Sequence, residues 1–328
     1  MFRVSPKLES LFQTPIPREL WHYTSVSAFA KILSSGRFWA TEARFTSDPT
    51  EYVFLRKVVT EFLNSQEPRL ASVGLDVNVL LELLKIHYEK GVLSPGFADV
   101  FIASFSTAED VRSQWIAYGG EAYRGVSIAF DLGHVRPASE LDTSVTLAPC
   151  VYEKEKQEEL ILEPLNRFIE PIEDLQKQHE RNYAIKKTWP IVQSIWPDAG
   201  EPPYTLTPAA EIRDLLVQGT KNMSRDLFVL ASQFKNPKFE EEHEWRLVLP
   251  RSKKKDSPQM PIKIRKDCWN CLQVEIPYIE LELQAADADR LPIVRVIVGP
   301  RCDAAPVETI LKSHGYDVGI TRSQIPIR

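Results

Sequence analysis

Apolar and polar positions along the chain follow two periods, and the switches between them mark out the elements. Leu20-Trp21-His22-Tyr23-Thr24 reads as a short strand. Behind it Val26, Phe29, Ile32 and Leu33 recur at helical spacing, with Ser25 or Ser27 as N-cap and Gly36 as the stop. Residues 38–41 predict a second short strand. Asp48-Pro49-Thr50-Glu51 places Asp at an N-cap, Pro at N1 and Glu at N3, which predicts a helix running to about residue 63. Residues 75–90 predict another, with Leu80, Leu83, Leu84 and Tyr88 as its apolar stripe. Residues 100–106 predict a central strand. Thr107 and Asp110 then open a helix carrying Trp115 and Tyr118, which Gly119-Gly120 ends. Residues 125–131 alternate as a strand, and residues 145–152 offer a further one.

The second half is less regular. Residues 153–187 are highly charged and helical in composition, which suits a solvated helix face. Residues 188–208 hold five prolines and two tryptophans and predict a long loop over the surface or the site. A helix starts at Thr207-Pro208 and ends near residue 234. The chain closes with a strand at 293–298, a Gly-Pro turn, a helix at 305–314 and a strand at 318–321. Residues 1–19 carry little periodicity and read as an arm. No clean linker and no internal repeat divide the chain, so residues 1–328 form a single domain with a helical, Pro-rich insertion at about 153–210. Short strands at irregular spacing between helices favour an α+β fold over a regular βαβ sheet.

Composition narrows the class. At 43% hydrophobic and 26% charged the chain is an ordinary globular protein. Its net charge of −5 argues against a general electrostatic nucleic-acid binder. The first ten residues contain no apolar h-region, and no apolar run approaches the roughly eighteen residues of a membrane span. Four cysteines in so long a chain are no disulfide framework, and the expected location is the cytoplasm. Cys268 and Cys271 form a lone C-x-x-C, which two ordinary thiols explain better than zinc. Neither a G-x-G-x-x-G after a strand nor a G-x-x-x-x-G-K is present.

Candidate chemistry concentrates in residues 239–249, F-E-E-E-H-E-W-R-L-V-L. From His243 this reads as a buried strand ending at Pro250. Side chains two apart on a strand share a face. Glu242, Glu244 and Arg246 would project together, with His243, Trp245 and Leu247 opposite. Paired carboxylates at the mouth of a strand can divide acid and base work. A solvated acidic turn, with Glu244 paired to a basic neighbour, explains the same letters. Directly after it, residues 251–266 hold seven basic residues against one acid, a phosphate-contacting patch or a solvated loop.

Several segments occur in one order: Trp21-His22-Tyr23-Thr24-Ser25, the run from Phe45 to Glu51, Ile102 to Ser106, Trp115-x-x-Tyr118, Gly125 to Asp131, Glu242 to Arg246 and Val298-Gly299-Pro300. As a set they resemble a large family of bacterial and phage proteins of unknown function. A second resemblance is to toxin-type ADP-ribosyltransferases. These place an Arg or His on an early strand, a Ser-x-Ser-like strand in the middle and a Glu-x-Glu on a later strand. Here His22, Ser104-Phe105-Ser106 and Glu242-His243-Glu244 stand in that order. The departures are the Phe at the centre of the middle triplet and the absence of an early Arg.

The second resemblance implies an α+β fold with a split mixed β-sheet core of ADP-ribosyltransferase type and surrounding helices. It implies NAD as substrate and no metal. Cleavage of the nicotinamide–ribose bond passes through an oxocarbenium-like sugar. Glu244 would stabilise that cation and bond the ribose 2′-OH, and Glu242 would orient or deprotonate the nucleophile. His22, Tyr23, Thr24, Ser104, Ser106 and Tyr118 would hold NAD, with Tyr23 or Tyr118 stacking on nicotinamide. Arg251, Lys253, Lys254 and Lys255 would contact a macromolecular acceptor, nucleic acid ahead of protein. The implied setting is antiviral defence or toxicity. The alternative is a non-catalytic interaction or sensor module on the same fold.

Overall fold

The computed structural model describes the chain outside residues 1–5, 46–50, 91–97, 121–122, 134–144, 179–209, 253–260, 270–271, 284–289 and 327–328. The fold is α+β, a large mixed sheet with helices packed around it. The strands are β1 (Leu20–Thr24), β2 (Phe38–Glu42), β3 (Ala98–Ser106), β4 (Val126–Phe130), β5 (Thr146–Pro149), β6 (Glu244–Ser252), β7 (Lys263–Trp269), β8 (Leu272–Leu281), β9 (Ile293–Val298) and β10 (Gly319–Arg322). Their order is β10-β9-β4-β1-β3-β2-β8-β7, with β6 on β3 and β5 on β6 as a branch. β10 runs parallel to β9, and the other pairings are antiparallel.

β3 is the hub. One edge pairs with β6 along its whole length, from Ala98↔Ser252 to Ser106↔Glu244. The other edge is shared: β2 takes Ile102 and Phe101, and β1 meets β3 at the single pair Trp21↔Ser106. β1 is then zipped to β4 over five pairs. The two halves of the sheet are therefore joined by a minimal seam and splay beside it.

Two apolar cores hold the elements. On one face of the sheet Leu20, Phe38, Phe105, Ile128 and Leu247 pack with α2 (Val26–Ser35) and α9 (Ala304–Ser313). Ser25 caps α2 through its hydroxyl, and Gly36 closes it in the left-handed region at φ 62°, as the sequence signals require. The second core is helical. It joins α1 (Pro6–Phe12), α3 (Glu51–Ser65), α4 (Glu67–Ser72), α5 (Val77–Lys90), α7 (Lys154–Gln178) and α8 (Ala210–Ala231). A short α6 (Arg112–Tyr118) lies against β1. Among the described residues no helix is long and apolar enough to cross a membrane.

Three expectations change. The N-terminal arm is in part α1, whose Leu8 and Leu11 are buried in the helical core. The charged stretch after residue 153 is not merely solvated: Ile161, Leu165, Phe168, Ile169 and Ile172 of α7 are buried. They recur at helical spacing, and the charges occupy the other face. The basic segment also contains the start of a β7–β8 hairpin, hidden because Lys263, Arg265, Lys266 and Asp267 break the apolar alternation of β7. The Pro-rich loop and Asp48-Pro49 lie outside the described residues.

Candidate functional site

A cleft open to solvent at its mouth sits where β1 and β3 splay apart. It is lined by Trp21, His22 and Tyr23 of β1, Ser104 and Phe105 of β3, Gln114 and Tyr118 of α6, and Glu242 and Glu244.

His22 spans the gap. Its Nδ1 lies 3.0 Å from the Ser104 carbonyl oxygen, between the two attachment points on that edge of β3. A carbonyl only accepts, so Nδ1 carries the proton and Nε2 is left as an acceptor. Burial pushes the imidazole pKa down to about 4 against the weaker upward pull of the Ser104 bond. The ring is therefore neutral near pH 7. Phe38 meets it edge-on at 4.6 Å between centroids.

The carboxylates come from two different elements. Asn236 caps a 3₁₀ turn, Pro237–Glu242, with Pro237 at its start. His243 then adopts the left-handed region at φ 43°, and β6 begins at Glu244. The expected strand therefore starts one residue later than read, and Glu242 is not on it. The reversal at His243 still brings both carboxylates to Lys235, whose Nζ bonds Glu242 and Glu244 together. Arg246 forks Glu244, with Nε to Oε1 at 2.9 Å and the second guanidinium arm to Oε2 at 3.0 Å. Its remaining arm donates to the Ser232 carbonyl at 3.0 Å. The alternation read from the sequence holds on β6 itself: Trp245 and Leu247 enter the sheet core, and Glu244 and Arg246 face away from it.

The two carboxyls are driven apart. Burial works against the Glu244 charge, but Arg246 and Lys235 outweigh it and hold its pKa down to about 2. Glu242 goes the other way: burial raises it more than Lys235 lowers it. Lys235 is itself raised, since Glu244 and Glu242 overcome its burial. The two neighbouring carboxyls thus carry opposed shifts.

The remaining expected residues divide. Ser104 lines the cleft. Ser106 is buried beneath it, donating to the Glu242 carbonyl at 2.6 Å and accepting from the Ala108 amide at 3.0 Å, so it anchors the 3₁₀ turn rather than the Glu244 side chain. Tyr23 lines the cleft, but its hydroxyl donates to Ala108 O and accepts from Val111 N, and its ring packs edge-on to Trp115. Burial raises its phenol. Tyr118 lines the wall. Thr24 ends β1 and is not among the lining residues. Arg251 lies seven positions along β6 from Glu244, about 23 Å away at strand rise, so it is not at the rim. Lys253, Lys254 and Lys255 lie outside the described residues. Sequence reading missed Lys235, Gln114 and Tyr152, whose hydroxyl accepts the Glu244 amide at 2.9 Å. None sits in a motif, and only the chain's return in space joins them to the carboxylates.

Comparison with known proteins adds one match. Residues 114–247 fit the family model of a protein of unknown function, DUF2971. This fits the uncharacterised family that the ordered motifs resembled. The DUF2971 match covers about two fifths of the chain. It begins at Gln114 on α6 and ends at Leu247 on β6, so it takes in one wall of the cleft and both carboxylates, and it runs through the region read as an insertion. β1 and β3 lie before it. No curated protein and no solved structure matches, and nothing in the DUF2971 match supports the resemblance to ADP-ribosyltransferases.

Proposed function

We propose that this protein is an ADP-ribosyltransferase-like enzyme that cleaves NAD at the nicotinamide–ribose bond, passing ADP-ribose to a macromolecule or to water. The observation that carries the reading is the meeting of His22, Ser104, Glu242 and Glu244 in one cleft, from elements far apart in sequence. The splay of the sheet at β1 and β3 suits the split sheet of that enzyme type. Opposed pKa shifts on neighbouring carboxylates support separate acid–base roles.

The chemistry assigns those roles. As the C1′–N bond breaks, its electron pair goes to the pyridinium nitrogen and positive charge develops on the ribose. The paired Glu244 supplies fixed negative charge beside it, and the free lone pair on Oε1 can accept from a ribose hydroxyl. A hydroxyl or water then attacks C1′, and its proton passes to Glu242. His22 Nε2, an acceptor, takes a bond from a ribose or adenosine hydroxyl rather than donating one.

Nicotinamide release by the purified full chain tests the reading. Glu242→Gln should keep the fold and lower turnover at least a hundredfold, on the order of a lost general base. Full activity in that variant rejects the assignment. Glu244→Gln is the poorer probe, because it strips charge from a buried pair with Arg246 and Lys235 and destabilises the protein itself.

The second reading, a non-catalytic module, draws on the same salt-bridge cluster, since both oxygens of Glu244 are already engaged. NAD binding without nicotinamide release, unchanged by Glu242→Gln, would favour it. A nucleic-acid acceptor rests on the lysine run after β6 in an otherwise acidic chain, and its binding should fall steeply with salt.

A further inference from the structure

Gln114 is a polar side chain of the cleft wall that the proposed chemistry leaves idle. Gln114 is 7% exposed, lines the cleft, and has no hydrogen-bond partner among the described residues. Its carboxamide opens on the cleft, where water or a ligand must answer its donor and acceptor. We infer that Gln114 pairs with a carboxamide on the ring bound in this cleft and sets its specificity for carboxamide over carboxylate. The inference rests on the NAD reading and deepens it by assigning the residue that recognises the leaving ring.

Three features point to this ligand group. A carboxamide both donates and accepts, so it can answer the Gln114 Nε2–H and Oε1 together in a planar pair. Flat aromatic side chains, Trp21, Phe105 and Tyr118, stand around the same space. The cleft also offers a ring carboxylate no ready cationic partner. Among the lining residues Glu242 and Glu244 are acidic and His22 is held neutral, while Lys235 and Arg246 behind them direct their donors at Glu242, Glu244 and the Ser232 carbonyl.

The residue is held in place from behind. Asp110, just before α6, accepts from Trp115 Nε1 at 2.6 Å, from the Ser323 hydroxyl at 2.6 Å and from the Gln324 amide at 2.9 Å. The Val111 amide donates to the Tyr23 hydroxyl at 3.1 Å. The start of α6 is thus tied to both β1 and the C-terminal segment, so Gln114 needs little ordering to bind.

The test compares binding of NAD and nicotinic acid adenine dinucleotide, which differ only in carboxamide against carboxylate, by calorimetry on the full chain. Wild type should prefer NAD by ten- to a hundredfold, the size of two hydrogen bonds. Gln114→Leu should bring the two within about threefold with an undiminished melting temperature, and Gln114→Met serves if the leucine variant folds poorly. A purely structural Gln114 would lower melting and leave the ratio alone. A wild-type ratio near one, or a ratio kept in both variants, overturns the inference and leaves the NAD reading standing. Binding of neither dinucleotide by wild type removes the NAD reading and the inference with it.

Discussion

His22 and Lys235 are the residues whose protonation the structure constrains most visibly. The folded His22 pKa, about 4 against an ordinary 6.5, means that the unfolded chain takes up a proton the folded chain refuses. Its contribution is fully present above pH 6.5 and is lost as pH falls toward 4, amounting to at most about 3 kcal/mol. Glu244, held down to about 2, acts below pH 4.5, and Asp226, raised by burial to about 6, opposes His22 between pH 3.8 and 6. The difference between wild type and His22→Gln isolates the histidine: urea midpoints at pH 7 and pH 5 should fall less in the variant. Equal falls would mean that His22 titrates normally. Lys235→Met leaves Glu242 and Glu244 sharing Arg246 alone, and should cost about 3–5 kcal/mol. Adding Glu242→Gln should recover part of that, because the two sites couple directly. Simple additivity in the double mutant would count against a joined cluster.

At the scale of elements, the contact between α7 and α8 decides between two opposed effects. Alanine at Gly219, inside α8, would gain about 0.5–1 kcal/mol in helix propensity. Its Cβ would stand 2.4 Å from the Phe168 ring of α7, which must move. Overpacking of a buried contact costs about 1–3 kcal/mol, so Gly219→Ala should lower the denaturation midpoint despite the better propensity. A raised midpoint would mean that Phe168 repacks freely. The same contact explains why α7 was misjudged from its composition. Ile161, Leu165 and Phe168 carry the helical period, but dense flanking charge suggested solvent, and only the facing α8 shows that the stripe is covered. The start of β6 gives the complementary case. Nothing local forbade His243 from joining the strand; the 3₁₀ turn capped by Asn236 and the anchor from Ser106 to the Glu242 carbonyl end it.

For the whole molecule, a ligand held by both halves of the sheet should stabilise the native state by mass action. NAD at a hundred times its dissociation constant would add about 2.7 kcal/mol, so melting temperature should rise with the logarithm of NAD concentration. No shift at saturating NAD would reject binding at the seam. How the sheet comes to hold a seam also shows where sequence stops. The alternation of Trp245, Arg246 and Leu247, the Ser25 cap and the Gly36 stop were legible because each follows from local sterics and period. The order of His22, Ser104 and Glu244 along the chain was legible too. Their convergence was decided by pairing across long separations: β3 gives one edge to β6 and divides the other between β1 and β2. Lys235 and Gln114 had no sequence signal, since a counter-ion or an unpartnered amide is defined by what surrounds it. Periodicity and turn chemistry are properties of neighbours along the chain. Burial, charge pairing and the shifted carboxyls belong to neighbours in space, and only the tertiary structure supplies those.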